Sequence, residues 1–300
     1  MFLHNDRELF REVILFANGK TGVPESIIEK DYYETMILKL LVQRAPEIVF
    51  KGGASLSKCF HLLDRFSEDI DVTFAEHIGR SRRKKLKYDV VKPIGEELQT
   101  PIENWENVES DRDYNYYLFN YKSTVVSPFE GGVSSVRLET ALGSRSFPTE
   151  KTEVRSIVYD AIKDVAPELV VKYDLTPFFM NVQSISRTFI DKIFALCDYY
   201  LEGKVKRFSR HIYDVCKLNS FVVIDDALKD LATKVREHRS SLSVCPSARE
   251  NVDVKSVVND FLKSDFYKKD YEEFVKTSPS ETIPYEQAVE TLRKIVEKMF

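Results

Sequence analysis

The chain has 300 residues, 43% hydrophobic and 31% charged, enough for a sizeable core and about two domains. Lys+Arg 44 against Asp+Glu 48 leaves a net charge of −4, which excludes a generic nucleic-acid coat and confines any RNA contact to a local basic patch. No apolar run is long enough to span a bilayer and no signal segment is visible, so no membrane partner is expected. The four cysteines, Cys59, Cys197, Cys216 and Cys245, show no CxxC spacing and lie in apolar patterns, and the five histidines form no zinc motif. They read as reduced, buried thiols of a cytoplasmic protein.

In chain order, residues 5–17 and 24–45 pattern as helices, the second opened by Pro24 in a favoured first-turn position. EIVFKGG reads as a short strand running into a turn, and a helix starts near Ala54 or Ser55, with Leu56, Phe60 and Leu63 at helical spacing. EDIDVTF is a second strand, and 81–99 a helix. Residues 114–126 and 133–141 alternate and are rich in aromatic and β-branched residues, so they read as strands with a turn signal in GGVSS. Val154–Ala166 patterns as a helix closing the first domain. From Ser184 onward the pattern is mostly helical, with loops near Gly203, Cys245–Pro246 and Thr277–Pro284. The expected architecture is an α/β (α+β) fold. It has a mixed-sheet domain over 1–183 and a helical bundle over 184–300.

Residues 50–74, FKGGASLSKCFHLLDRFSEDIDVTF, carry the chemistry. Gly52 and Gly53 allow close approach of another group, and Ser55 and Ser57 add hydroxyls at a helix start whose N–H groups favour phosphate. A serine-capped strand-to-helix turn needs the same residues. Asp69 and Asp71 point to one face of their strand while Ile70 and Val72 point to the other. Two such carboxylates repel unless a cation lies between them, and Mg²⁺ takes a few carboxylate oxygens together with substrate phosphates. A lone DxD is equally a solvated strand edge, but here a phosphate-type turn lies 15 residues upstream of Asp69. Together the two features point to a nucleoside triphosphate (NTP) handled with a divalent ion.

KGGASLSK followed by DRFSEDIDVTF resembles the AbiEii/AbiGii-type nucleotidyltransferase toxins of bacterial toxin–antitoxin and phage-abortive systems. RTFIDKIFAL (187–196) resembles the family's Lys-bearing helix, RHIYDV (210–215) its Arg/Asp motif, and IIEKDYYETMIL (27–38) its N-terminal helix. The resemblance covers roughly the first 215 residues; the last third matches no motif. It implies a nucleotidyltransferase fold that moves a nucleoside monophosphate from an NTP to an RNA acceptor, with the 3′ end of tRNA as the expected one, and a cognate antitoxin. Asp69 and Asp71 would hold Mg²⁺ (or Mn²⁺), and Gly52, Gly53 and Ser55 would cradle phosphates. Ser67 would lie beside the metal, where phosphorylation in some relatives silences the enzyme. Glu139, on the VRLET strand with Arg137 on the same face, is the candidate third carboxylate; its bland reading is a surface ion pair.

Lys192 sits at the edge of the stripe Ile185, Phe189, Ile193, Leu196, Cys197 and Tyr200. Pattern alone makes it a snorkelling lysine; the resemblance makes it a nucleotide contact. Asp214, Arg210 and His211 share a helix face, and the resemblance implies that Asp214 is an active-site acid and Arg210 a nucleotide contact. Arg80, Arg82, Arg83, Lys84, Lys85 and Lys87 form the densest basic cluster. It is a solvated helix face or, since basic charge opposes the dipole in a first helical turn, an RNA contact through Arg82, Arg83, Lys84 and Lys85. Two rival functions are a non-catalytic nucleotide- or antitoxin-binding module and a haloacid-dehalogenase-type phosphatase. For the phosphatase, DIDVT would carry the nucleophile and VVIDD (222–226) the late acidic pair.

Overall fold

A computed structural model describes residues 1–63, 65, 69–125, 133–277 and 281–300. Ser67 and the GG of GGVSS lie outside the described residues. The chain forms two compact units. The first comprises Met1–Cys59, Ser67–Gly143 and Thr149–Val182, the second Phe60–Phe66, Ser144–Pro148 and Gln183–Phe300.

The first unit is built on a six-stranded mixed sheet of order β3-β4-β2-β1-β6-β5. Its strands are β1 (Ile48–Lys51), β2 (Asp69–Phe74), β3 (Tyr114–Lys122), β4 (Val133–Ala141), β5 (Thr149–Val154) and β6 (Phe178–Gln183). β1 runs antiparallel to β2 and parallel to β6; β2 runs parallel to β4, which pairs antiparallel with β3. One face is apolar and closed: Phe50, Ile70, Val72, Leu138 and Phe119 are fully buried. On the other face Lys51, Asp69, Asp71 and Glu139 are half-buried.

Helices α1 (Arg7–Thr21), α2 (Glu25–Arg44), α6 (Ile157–Ile162) and α7 (Pro167–Lys172) belong to this unit. Asp6 caps α1 by accepting from Leu9 N–H. α2 is buried along most of its length, with Ile28, Tyr32, Ile37 and Leu41 fully enclosed, each such side chain worth about 1.5–3 kcal/mol. The short helix α3 (Gly52–Lys58) follows β1. Lys58 anchors it: the ammonium bonds the Asp31 carboxylate and Thr35 Oγ1 (2.9 Å) on α2. The other Asp31 oxygen accepts from Ile157 N–H (2.7 Å), so one buried carboxylate ties α2, α3 and α6 together.

Two strands go beyond the sequence reading, and two expected helices are revised. β5 and β6 were not legible: FFMNVQ carries Asn181 and Gln183, which blur its apolar run, yet it lies beside β1 in the sheet. The helix expected over 154–166 starts only after Ser156, whose hydroxyl accepts from Tyr159 N–H, because Val154 ends β5. The helix expected over 81–99 is a continuous run of α4 (Arg80–Lys85), a π-helical segment Leu86–Val91 and α5 (Lys92–Glu97). Pro93 near the start of α5 has no N–H to donate to the preceding turn, so regular α-helical bonding is interrupted there.

The second unit is helical: α8 (Ile185–Leu201), α9 (Arg210–Leu218), α10 (Asp226–Ser240), α11 (Val254–Lys263), α12 (Lys268–Thr277) and α13 (Tyr285–Met299). α8 is its centre, packed by α9, α10 and α11. Phe189, Ile190, Ile193, Phe194, Leu196 and Cys197 are fully buried, as expected of a helix enclosed on several sides. The four cysteines are free thiols, three of them buried and Cys216 half-buried. Among the described residues no helix is long and apolar enough to cross a membrane.

Candidate active site

In the first unit, strand register assembles the acidic site. Lys51 on β1 opposes Asp71 on β2, Asp71 opposes Glu139 on β4, and Glu139 opposes Tyr116 on β3. Asp69 lies one pleat away, opposite Arg137. Directly opposed residues share a face, so this row of side chains crosses four strands. Gly52 begins α3 with φ +79, a left-handed conformation, and a Cβ there would fall 2.2 Å from Asp71 Oδ2. The glycine therefore lets the carboxylate pack against the turn.

Burial, then the charge of Asp71, raises the Glu139 carboxyl above its ordinary range, against the opposing pull of Tyr114 and Arg137. Arg137 Nε stands 2.9 Å from Glu139 Oε1, though off the angle of a hydrogen bond. Its guanidinium also lies 4.3 Å from the centre of the Tyr116 ring. Ser55 is fully buried and its hydroxyl donates to Gly52 O (2.9 Å), so its proton is engaged within the turn.

Whether these residues suit a divalent cation can be judged from the donor set. Asp69, Asp71 and Glu139 offer hard oxygens, and the close Asp71–Glu139 pair is a like-charge contact that a cation would relieve. Among the described residues no group of three or more His, Cys, Asp or Glu side chains is already gathered closely enough to hold a metal ion. Mg²⁺ is bound by carboxylate oxygens together with water and substrate phosphates.

The second unit brings Lys192 and Asp214 together. Lys192 Nζ donates to Asp214 Oδ2 (2.6 Å). Arg65 binds the same carboxylate with both arms, Nε to Oδ1 (2.8 Å) and Nη2 to Oδ2 (2.6 Å). All three are buried, Asp214 completely, so Lys192 does not snorkel to water. Burial alone would raise the Asp214 carboxyl, but the charges of Arg65 and Lys192 outweigh it and hold the group far below the ordinary carboxylate range. Burial lowers the Lys192 ammonium, against the pull of Asp214.

Burial, then Lys192 and Arg210, pushes His211 well below its usual range, leaving a neutral imidazole at pH 7. Arg210 Nε and His211 Nδ1 are buried without a hydrogen-bond partner among the described residues. Arg65 was not singled out from sequence. Its partner is 149 residues away, and only its place inside DRFSEDIDVTF could have marked it.

Of the basic cluster, Arg83 is turned inward, pairing with Asp113 (2.8 Å) and donating to Ile78 O and Asp111 O. Lys87 is buried under Trp105, 4.5 Å from the ring centre. Arg82 pairs with Glu47 at the surface (2.8 Å), and Lys84 and Lys85 are exposed. Asp225 of VVIDD caps α10 by accepting from Leu228 N–H (2.9 Å), a structural role for one of the two acids of that segment.

The family model for the nucleotidyl transferase AbiEii toxin of type IV toxin–antitoxin systems matches residues 38–296, and the chain belongs to that family. It is a nucleotidyltransferase, and membership implies an NTP substrate and an antitoxin partner. Among solved structures, MenT4, a nucleotidyltransferase toxin from Mycobacterium tuberculosis H37Rv, is similar at 16% identity and a TM-score of 0.48. That match covers 98% of this chain and 89% of that one. No curated protein matches the chain in sequence.

Proposed function

We propose that this chain transfers a nucleoside monophosphate from an NTP to the 3′ end of an RNA, with tRNA as the expected acceptor, and so blocks translation. The acceptor hydroxyl oxygen bonds to the α-phosphorus, the bond from that phosphorus to the bridging oxygen breaks, pyrophosphate leaves, and the hydroxyl proton passes to water. The observation that carries this reading is the Lys51–Asp71–Glu139 row beside Gly52. The Asp71 carboxylate, one of the pair, packs directly against the glycine turn.

Gly52 and Gly53 would admit the triphosphate, Asp69, Asp71 and Glu139 would hold Mg²⁺ or Mn²⁺, and the ion would supply charge neutralisation. Lys51, half-buried beside Asp71, adds a cation on the same row. The family motifs support Lys192 and Arg210 as nucleotide contacts and Asp214 as an active-site acid, and the Lys192–Asp214 hydrogen bond lets Asp214 orient the lysine. Catalysis in such a site is mainly positioning and charge stabilisation.

The test is incubation with each α-labelled NTP, Mg²⁺ and total RNA. Labelled RNA is expected, absent without a divalent ion and absent in Asp69→Ala and Asp71→Ala proteins that still fold. Phosphate release without labelled RNA would point instead to a phosphatase, and NTP binding without turnover to a non-catalytic module.

A further inference from the structure

The row of functional side chains does not stop at Glu139. It continues to the outermost strand, where Tyr116 opposes Glu139 and Tyr114 precedes it on the same face. Both rings are unusually open for tyrosines on a strand, Tyr114 at 47% and Tyr116 at 37% exposure. Their neighbours on the other face, Tyr117, Phe119 and Tyr121, are buried. The strand beneath them is held on its outer edge. Asn104 accepts from Leu118 N–H (3.0 Å) and donates to Tyr116 O (2.8 Å), Glu103 N–H donates to Leu118 O and Asn120 N–H to Pro101 O. Two open aromatic rings thus stand on a fixed backbone, and the Arg137 guanidinium stacks against one of them.

We propose that Tyr116, with Arg137 against its ring and Tyr114 beside it, is the platform on which the unpaired terminal base of a single-stranded RNA acceptor stacks. The inference rests on the transfer reaction above and deepens it. In an in-line displacement the attacking and leaving oxygens lie on opposite sides of the phosphorus. The glycine turn that would receive the triphosphate follows β1, on one side of Asp71; the tyrosines lie on the other side, beyond Glu139. The acceptor therefore approaches from the tyrosine side. Strands are about 4.8 Å apart, so Tyr116 lies two strands or roughly 10 Å from Asp71, a span that a nucleotide covers between its base and its terminal hydroxyl. Aromatic rings and guanidinium planes are the usual seats for unpaired RNA bases.

The test uses the full chain and a short single-stranded RNA ending in 2-aminopurine, whose fluorescence falls on stacking. The wild type should quench it. Tyr116→Leu should lose the quench and bind the RNA roughly tenfold more weakly, whereas Tyr116→Phe should keep both. Removing the terminal base from the RNA should weaken wild-type binding by the same factor and leave Tyr116→Leu indifferent. NTP affinity should be equal in the three proteins, which also shows that the variants are folded. A Tyr116→Leu protein that quenches like the wild type, or whose loss appears in NTP affinity instead, overturns the platform. Tyr116-dependent quenching in a protein that transfers nothing to RNA would defeat the transfer reading and leave the platform standing.

Discussion

The Asp71 carboxylate packs against Gly52 so closely that residue 52 has no room for a Cβ. This single contact joins the turn after β1 to the acidic face of β2, and it makes the two features interdependent rather than merely adjacent.

Gly52→Ala should therefore cost more than a left-handed alanine alone. The φ of +79 contributes about 1 kcal/mol, and displacement of Asp71 adds to it. In an Asp71→Ala background the second contribution disappears. A double-mutant cycle measured by urea denaturation should show a coupling of about 1 kcal/mol or more; additive effects would mean that the turn and the carboxylate are independent.

Asp214 should matter more for folding than Lys192. Asp214→Ala leaves two buried cations, Arg65 and Lys192, without their anion, at a cost of about 3–5 kcal/mol. Lys192→Met leaves Arg65 still holding both carboxylate oxygens and should cost clearly less. Because the Asp214 carboxyl is held far below its ordinary range, the stability it contributes is present above the unfolded carboxylate range and is lost as pH falls below it. If Lys192 also contacts phosphate, Lys192→Met should weaken NTP binding by about 1.5–3 kcal/mol. Unchanged NTP affinity and turnover would confine Lys192 to the fold.

Glu34 should set a pH dependence of stability. Burial, opposed by Lys58 and Lys30 and reinforced by Asp31 and Asp69, lifts its carboxyl from 4.5 to about 7. The folded chain thus keeps a proton that the unfolded chain releases, so stability falls as pH rises through the window from 4.5 to about 7. Glu34→Gln should remove this slope, gaining about 3 kcal/mol over the wild type at pH 8 and less than about 1 kcal/mol at pH 5. Parallel slopes for both proteins in denaturation series across that range would refute the assignment.

The basic helix divides into two kinds of residue. Arg83→Ala should destabilise the protein by about 1–3 kcal/mol through its lost ion pair and carbonyl contacts. The paired change Lys84→Ala and Lys85→Ala should leave stability alone. If these lysines hold RNA backbone, it should also reduce the salt slope of RNA binding by about one per lost phosphate contact. An identical slope would make them ordinary solvated charges.

Sequence alone determined the local chemistry. The Gly-Gly turn, the alternation that puts Asp69 and Asp71 on one face, and the VRLET strand carrying Glu139 are all properties of a few neighbouring residues, set by backbone freedom and a two-residue period. The same holds for the stripe of α8, which placed Lys192 at its edge. Only the tertiary structure decided what these residues touch. Strand order brought Glu139 against Asp71 and carried the row to Tyr116, because pairing between β2, β4 and β3 depends on register and not on spacing along the chain. β6 entered the sheet beside β1 on the strength of its neighbours, although Asn181 and Gln183 weaken its own pattern. Arg65 found Asp214 because a buried carboxylate requires a counter-charge, and no local rule could name a partner so far along the chain.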